Sequence, residues 1–353
     1  MINGTEATLK KCVVHKINAK PENPEHEDMY GIITSKQELS LDSESATILK
    51  DFFFSGFKAR EYYNLSGNES PEENLVYQCV ANIFETTDSL YGESLKIARY
   101  LYEQGDPARV KGGNLFVAYF ENVTVDGKNT DAVGIFKVEN TARFMKLSFD
   151  EEKFTVGYDE GINLEKLDKG CLVFNLEQDK GYLVAVNDGI GRSAGAHYWI
   201  DMFLQARQRK DEYYQTQNVI SLCKDFVTKE LPKEYEVTKA DQAVLMNKSM
   251  NFFKENERFD FETFAEEILP DRQVAQDFKK FKEQRSIEND VEFDDGFAIS
   301  ENAVKKQSRM FKSVIKLDRN FHVYVHGDSK FIEKGFDDST NMQYYRLFFR
   351  EEE

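Results

Sequence analysis

Apolar residues along this chain change their spacing twice, and each change marks a different kind of structure. Leu9 to Ile17 is a short apolar-rich run that predicts a strand. Leu49, Phe52, Phe53 and Phe57 then recur at helical spacing behind Ser43, a residue suited to capping a helix. Asn74 to Phe84 predicts a second helix, and Ser89 to Glu103 a third that Gly105 and Pro107 stop. Beyond Gly112-Gly113 the pattern shortens. Leu115 to Phe120, Ala132 to Val138, Phe144 to Phe149, Leu172 to Leu176 and Tyr182 to Val186 read as strands. Asp126-Gly127 is a hairpin signal and Gln178 to Gly181 another turn. Turns this close favour an antiparallel meander, because parallel crossovers need longer connections.

From His197 onward the period becomes helical. Val219, Leu222, Cys223 and Phe226 form one stripe, and Ala243, Met246, Met250 and Phe253 another behind a cap at Thr238. Asp260 to Leu269 and Asp271 to Arg285 predict two helices parted by Pro270. Ile287 to Glu301 holds six acids and no base, which predicts a surface loop. A short helix and a small sheet should close the chain. The expected class is α+β: an N-terminal α/β half with an antiparallel sheet, then a helical half closed by a small β unit. At 353 residues two domains are expected. They are residues 1–210, mixed α/β, and 211–353, mainly helical with a terminal β hairpin or sheet.

Composition adds enough apolar residues for real cores, 41% of the chain, and an acidic balance with a formal net charge of -17. Such a chain is not coated in nucleic acid; any phosphate contact is confined to local basic patches. Cys12, Cys79, Cys171 and Cys223 are scattered, with no Cys-x-x-Cys pair. This pattern predicts reduced structural thiols in a cytoplasmic protein. Met1 to Lys20 lacks the apolar core of a signal peptide, and no window resembles a membrane span.

One segment runs against the acidic background. Lys305, Lys306, Arg309, Lys312, Lys316 and Arg319 set six positive charges against one acid, Asp318, a local net of +5. As a single helix, residues 305–319 would gather five of these within about 80° of arc at about 100° per residue. The other reading is a helix ending near Met310 and then a hairpin. There Ser313 to Leu317 alternates, Asp318-Arg319-Asn320 turns, and Phe321 to His326 returns. Val314, Ile315, Phe321, Val323 and Val325 favour the hairpin. It leaves Lys312 and Lys316 on one face and Arg319 at the tip. The segment is then either a solvated face or a phosphate-contacting one. Lys10, Lys11, Lys16 and Lys20, then Arg207, Arg209 and Lys210, then Lys279, Lys280, Lys282 and Arg285 form smaller basic groups.

Other chemistries are weaker. His322 and His326 on a strand stand about 13 Å apart and cannot share a metal ion. Gly189-Ile190-Gly191-Arg192-Ser193-Ala194-Gly195 lacks the ending of a phosphate loop and the full dinucleotide fingerprint. Asp168, Glu177, Asp179 and Lys180 loosely match a Mg²⁺-dependent nuclease, a match that 63 acids make expected by chance. No catalytic triad signature is present.

Several stretches together resemble the bacterial nucleoid-associated protein family often called NdpA. They are Val13-Val14-His15-Lys16-Ile17, Ala98-Arg99-Tyr100-Leu101-Tyr102, Gly112-Gly113-Asn114-Leu115, Ala196-His197-Tyr198-Trp199 with Phe203-Leu204, and Val314 to Phe349. The resemblance spans nearly the whole chain and contains no catalytic signature. It implies association with the nucleoid and binding of double-stranded DNA, with no established enzymatic activity. It supplies no catalytic or base-reading residue.

Residues and resemblance together predict a non-enzymatic, cytoplasmic, nucleoid-associated protein without cofactor or metal. It would bind double-stranded DNA through Lys305, Lys306, Arg309, Lys312, Lys316 and Arg319, without strong sequence specificity. Lys10, Lys11, Lys16, Arg207, Arg209 and Lys210 form a secondary patch. The alternative is an adaptor recruited by other chromosome-associated proteins; a nuclease is weaker still. No membrane partner is expected, and nothing in the sequence specifies an oligomeric state.

Overall fold

The structure, a computed structural model, describes the chain except residues 20–30, 58–60, 106–110, 151, 189–196, 290, 309–313, 319, 325–330 and 352–353. The acidic loop Glu22 to Asp28, the glycine-rich Gly189 to Gly195, Lys20, Pro107, Arg309, Lys312, Arg319 and His326 therefore lie outside the described residues. The chain divides into two units, Met1–Arg209 and Lys210–Glu353.

The first unit begins with β1 (Ile2–Asn3), β2 (Thr8–Ile17), β3 (Ile32–Thr34), α1 (Ser43–Ser55) and β4 (Tyr62–Leu65). Then come α2 (Leu75–Glu85), α3 (Leu90–Gln104), β5 (Gly113–Val125), β6 (Lys128–Val138), β7 (Thr141–Asp150) and β8 (Lys153–Ile162). It ends with β9 (Lys169–Phe174), β10 (Leu183–Asn187), a π-helical segment His197–Leu204 and β11 (Ala206–Gln208). The main sheet is antiparallel in the order β11-β4-β10-β9-β6-β5-β2-β3, with β1 added beside β5. Asp126 (φ 45°) and Gly127 (φ 79°) adopt the left-handed pair that turns β5 into β6, as their sequence predicts.

The central strands are buried on both faces, and their side chains alternate between two cores. Val117, Val133, Ile135, Cys171, Val173 and Val184 face α2, α3 and the π segment, with Val80, Ile97 and Trp199. Phe116, Phe136, Leu172, Phe174 and Ala185 face α1, with Phe52 and Phe53. Phe53 stacks on Phe136 with ring centroids 4.0 Å apart. The apolar runs in β6 and β9 thus reflect a sheet covered on both sides, not a sheet with one wet face.

Two local expectations change. The cap of α1 is Asp42, whose carboxylate accepts from the Ser45 N–H at 2.7 Å, and Ser43 is the first helical residue. Thr238 caps its helix as expected, in a capping box with Asp241, and Asn74, expected as the first residue of α2, is its cap. β8, absent from the sequence reading, pairs with β7 along its whole length. This hairpin is an excursion between β6 and β9, which are themselves neighbours in the main sheet.

The second unit runs through α4 (Glu212–Asp225), a π turn Phe226–Glu230 and one helical turn Leu231–Glu234. It continues with α5 (Lys239–Glu255), β12 (Arg258–Asp260), α6 (Phe261–Ile268), α7 (Arg272–Asn289), β13 (Gly296–Ala298) and α8 (Glu301–Ser308). Two ribbons close it: β14 (Val314–Leu317) with β15 (Phe321–Tyr324), and β16 (Ile332–Asp337) with β17 (Met342–Leu347). Its core is rich in phenylalanine. Phe253 stacks on Phe259 at 5.4 Å, Phe261 on Phe278 at 5.4 Å, and Phe297 on Phe259 at 4.9 Å. The last contact corrects the surface-loop expectation for Ile287 to Glu301 in part: 291–295 is irregular and mostly exposed, whereas Gly296–Ala298 is a strand. Phe297, 6% exposed, pulls β13 into register with β12 despite the acids around it. The class is α+β.

Candidate functional site

The basic run resolves into a helix end and a hairpin. α8 buries Ala303, Val304 and Gln307 and turns Lys305 and Lys306 outward in its last turn, where cations complement the helix dipole. The Lys305 ammonium lies 3.2 Å from the Glu301 carboxylate one turn earlier. Lys306 sits 5.6 Å from the centre of the Tyr213 ring. The chain then forms β14 and β15, as their β-branched residues predict.

The period of two gives that hairpin an inside and an outside. Ile315, 3% exposed, joins Leu317 and Val323 against Ala240 and Ala243 of α5. Lys316 and its cross-strand partner His322 therefore point away, next to the pair Val314 and Tyr324. Lys316 and His322 are exposed, and Tyr324 is 57% exposed. Among the described residues Lys316 has no ion-pair partner. The outcome is a cation, an imidazole and a phenol on one open face: a charge for phosphate with hydrogen-bonding groups beside it.

The secondary basic residues behave differently. Lys10 lies 3.1 Å from Glu121 across the β2–β5 ladder. Lys11 is held by Asp88 at 2.7 Å and Glu38 at 3.4 Å. The Asp88 hydrogen bond raises the Lys11 pKa above its ordinary value, and Lys11 in turn lowers that of Asp88. Arg209 pairs with Glu177 at 2.6 Å, and Lys210 with Glu292 at 3.0 Å. Lys16 is exposed on β2. Arg207, exposed on β11, lines a polar cleft with Glu73 and Asp201, so its surroundings are not cationic. β2 and β11 stand six strand spacings apart in the sheet, about 29 Å at ~4.8 Å each. The lysines of β2 and Arg207 do not merge into one patch. Lys279, Lys280, Lys282 and Arg285 all pair with carboxylates, Lys282 with Asp295 and Lys280 with Asp277 among them.

The nuclease-like acids do not assemble. Asp168 and Glu177 flank opposite ends of β9. Asp168 accepts from the backbone N–H groups of Glu139 at 2.7 Å and Asn140 at 3.0 Å, so it fastens the β6–β7 corner. No group of three metal-ligating side chains occurs among the described residues.

What the sequence reading missed is a buried ionic network at this same end of the sheet. Lys137 is fully buried, with Glu139 at 2.9 Å and the Lys111 carbonyl at 2.7 Å. Lys169 lies 2.9 Å from Asp188. Burial lowers the Lys137 pKa, opposed by Glu139. The available signal was a lysine inside the apolar run Ile135-Phe136-Lys137-Val138.

Many residues of the N-terminal stretches that carry the family resemblance are packing positions, whereas the stretch Val314 to Phe349 is largely exposed. Ala98, Leu101, Leu115, Tyr198, Trp199, Phe203 and Leu204 belong to one core. His15 is buried with Nε2 2.9 Å from the Ser94 hydroxyl, and its burial lowers its pKa. At Gly113 a side chain would meet the Val138 carbonyl oxygen at 2.4 Å. These residues specify a fold. Among the described residues no helix is long and apolar enough to cross a membrane. In comparison with known proteins, residues 13–342 match a family described as nucleoid-associated protein YejK. No curated protein matches the chain.

Proposed function

The chain belongs to that nucleoid-associated protein family, and on this premise we propose that it binds double-stranded DNA directly through phosphate contacts. The observation that carries the proposal is the outward face of the β14–β15 hairpin, where Lys316 stands beside His322 and Tyr324. It sits in a run of net +5 inside a chain of net -17. Lys305, Lys306, Arg309, Lys312 and Arg319 supply the remaining charges of the run. Such contacts position a protein on a duplex and carry no sequence information, so weak sequence preference is expected. The same reading makes the protein a non-enzymatic one that works at the nucleoid in the cytoplasm.

A second reading, an adaptor reaching the chromosome through another protein, draws support from a specific observation. Lys10, Lys11, Arg209 and Lys210 are all committed to carboxylates. Fluorescence anisotropy with a labelled duplex, across a salt series, separates the two. Direct binding gives an affinity that falls with log salt at about 0.9 per neutralised phosphate. Lys312→Glu with Lys316→Glu then weakens binding equally for unrelated sequences. No binding to duplex at low salt overturns the proposal and leaves the adaptor.

A further inference from the structure

We propose that the β7–β8 hairpin is a self-association arm, through which two copies of this chain pair face to face. The register places Met145 opposite Tyr158, Leu147 opposite Val156, and Phe149 opposite Phe154. All six side chains share one face of the ribbon. They are 80%, 78%, 70%, 68%, 63% and 71% exposed in that order, so among the described residues nothing covers this face. The other face carries Lys146, Ser148, Thr155 and Asp159, with Phe144 as its large apolar member. A ribbon so cleanly divided is built to bury one side.

The size of the strip suits a stable pair. Aromatic side chains offer about 150–250 Å² each. With the three aliphatic residues the strip presents on the order of 700–800 Å² per copy, near the roughly 800 Å² each partner contributes to a standard interface. Free apolar patches of this size on a soluble chain mark interaction sites.

Charge and symmetry select a second copy as the occupant. The charged side chains on this face are Arg143 and Glu160 at its base, 3.8 Å apart and mutually compensating. The strip is therefore neutral, and a chain of net -17 meets its copy here without local repulsion. It offers no charge by which a cationic or anionic partner would be chosen. The order of its residues also suits a two-fold axis. With the axis through Leu147 and Val156, the tip pair Phe149 and Phe154 of each copy falls on the base pair Met145 and Tyr158 of the other. Small aliphatic groups meet at the centre, and aromatic rings meet a thioether and a phenol at both ends. Two such ribbons pack as a small sandwich, sheets about 10 Å apart.

The test is the mass of the full chain in solution at micromolar concentration, by light scattering after gel filtration. The expected result is twice the chain mass. Leu147→Asp with Val156→Asp should give the single mass, while Ser148→Asp with Thr155→Asp, on the opposite face, keeps the double mass. Because the altered residues are exposed, circular dichroism should not change. Leu147→Cys, placed at the axis, should be cross-linked between chains by a bismaleimide reagent long enough to span the facing ribbons, the four native thiols being buried. A single chain mass for the unmodified protein, or a double mass that survives the paired aspartates, overturns the proposal. Absence of the Leu147→Cys cross-link in a double-mass species does so as well.

Discussion

Lys137 and Lys169 are register partners across β6 and β9, so two ammonium groups enter the structure side by side on neighbouring strands. Each is answered by its own carboxylate, Glu139 and Asp188, both at 2.9 Å. Removing one member of a buried pair leaves the other charge stranded, which costs about 3–5 kcal/mol. Lys137→Met should therefore lower the urea midpoint sharply. Adding Glu139→Gln should restore much of the loss, since the stranded charge is gone. A double variant no more stable than the single would show that the pair is not the dominant interaction there.

The four cysteines give the fold a response to alkali. Burial pushes the thiols of Cys12, Cys79 and Cys171 up to about 12, and that of Cys223 higher still, from an ordinary value of 9.0. In the unfolded chain these thiols lose their protons near pH 9.0, while in the folded chain they keep them until about 12. Raising pH through that window favours the unfolded form, so the stability they contribute is complete below the window and lost within it. Thermal melting followed from pH 8 upward should show a falling midpoint. The slope should lessen in Cys171→Ala. Below pH 8 a thiol reagent should label the native protein slowly and label all four thiols after unfolding.

The elements written in strong local terms were legible in the sequence. Asp126-Gly127 specifies its own turn, Thr238 its cap, and the alternation around Ile315 its hairpin. β8 was not legible. Lys153 to Ile162 contains Gly157, Gly161, Asp159 and Glu160, residues poorly suited to strands, and its pairing with β7 alone makes it one. β13 escaped for a similar reason: its acidic flanks hide the single buried Phe297. Of the candidate site, the outward position of Lys316 followed from alternation. Which other lysines were already spent on carboxylates depends on partners such as Glu121, distant in sequence from Lys10. Spacing along the chain holds no trace of that.

Asp168 is a fastening residue, and its substitution separates structure from catalysis. Its two carboxylate oxygens hold the Glu139 and Asn140 N–H groups and the Asn140 side chain. Hydrogen bonds to a charged group contribute about 1.5–3 kcal/mol each. Asp168→Ala should destabilise the protein by several kcal/mol in a denaturant titration. A plasmid incubated with Mg²⁺ should remain intact with the unmodified chain and the variant alike. Loss of a nicking activity in a variant of unchanged stability would contradict the fastening role.

Two lysines on exposed strands provide the sharpest contrast for DNA contact. Lys316 faces solvent with His322 beside it, whereas Lys10 lies 3.1 Å from Glu121. An exposed ion pair contributes only about 0–1 kcal/mol to folding, so neither Lys316→Ala nor Lys10→Ala should disturb the fold measurably. Their effects on duplex binding should differ. A lysine that neutralises a phosphate displaces a counterion, and its loss reduces the salt slope by about 0.9. Lys316→Ala should show a decrease of that size. Lys10→Ala should leave the slope nearly unchanged, because its charge is balanced within the fold by Glu121. Equal losses for the two would mean that the duplex responds to total charge and not to the open hairpin face. A larger loss for Lys10→Ala would move the contact surface to β2.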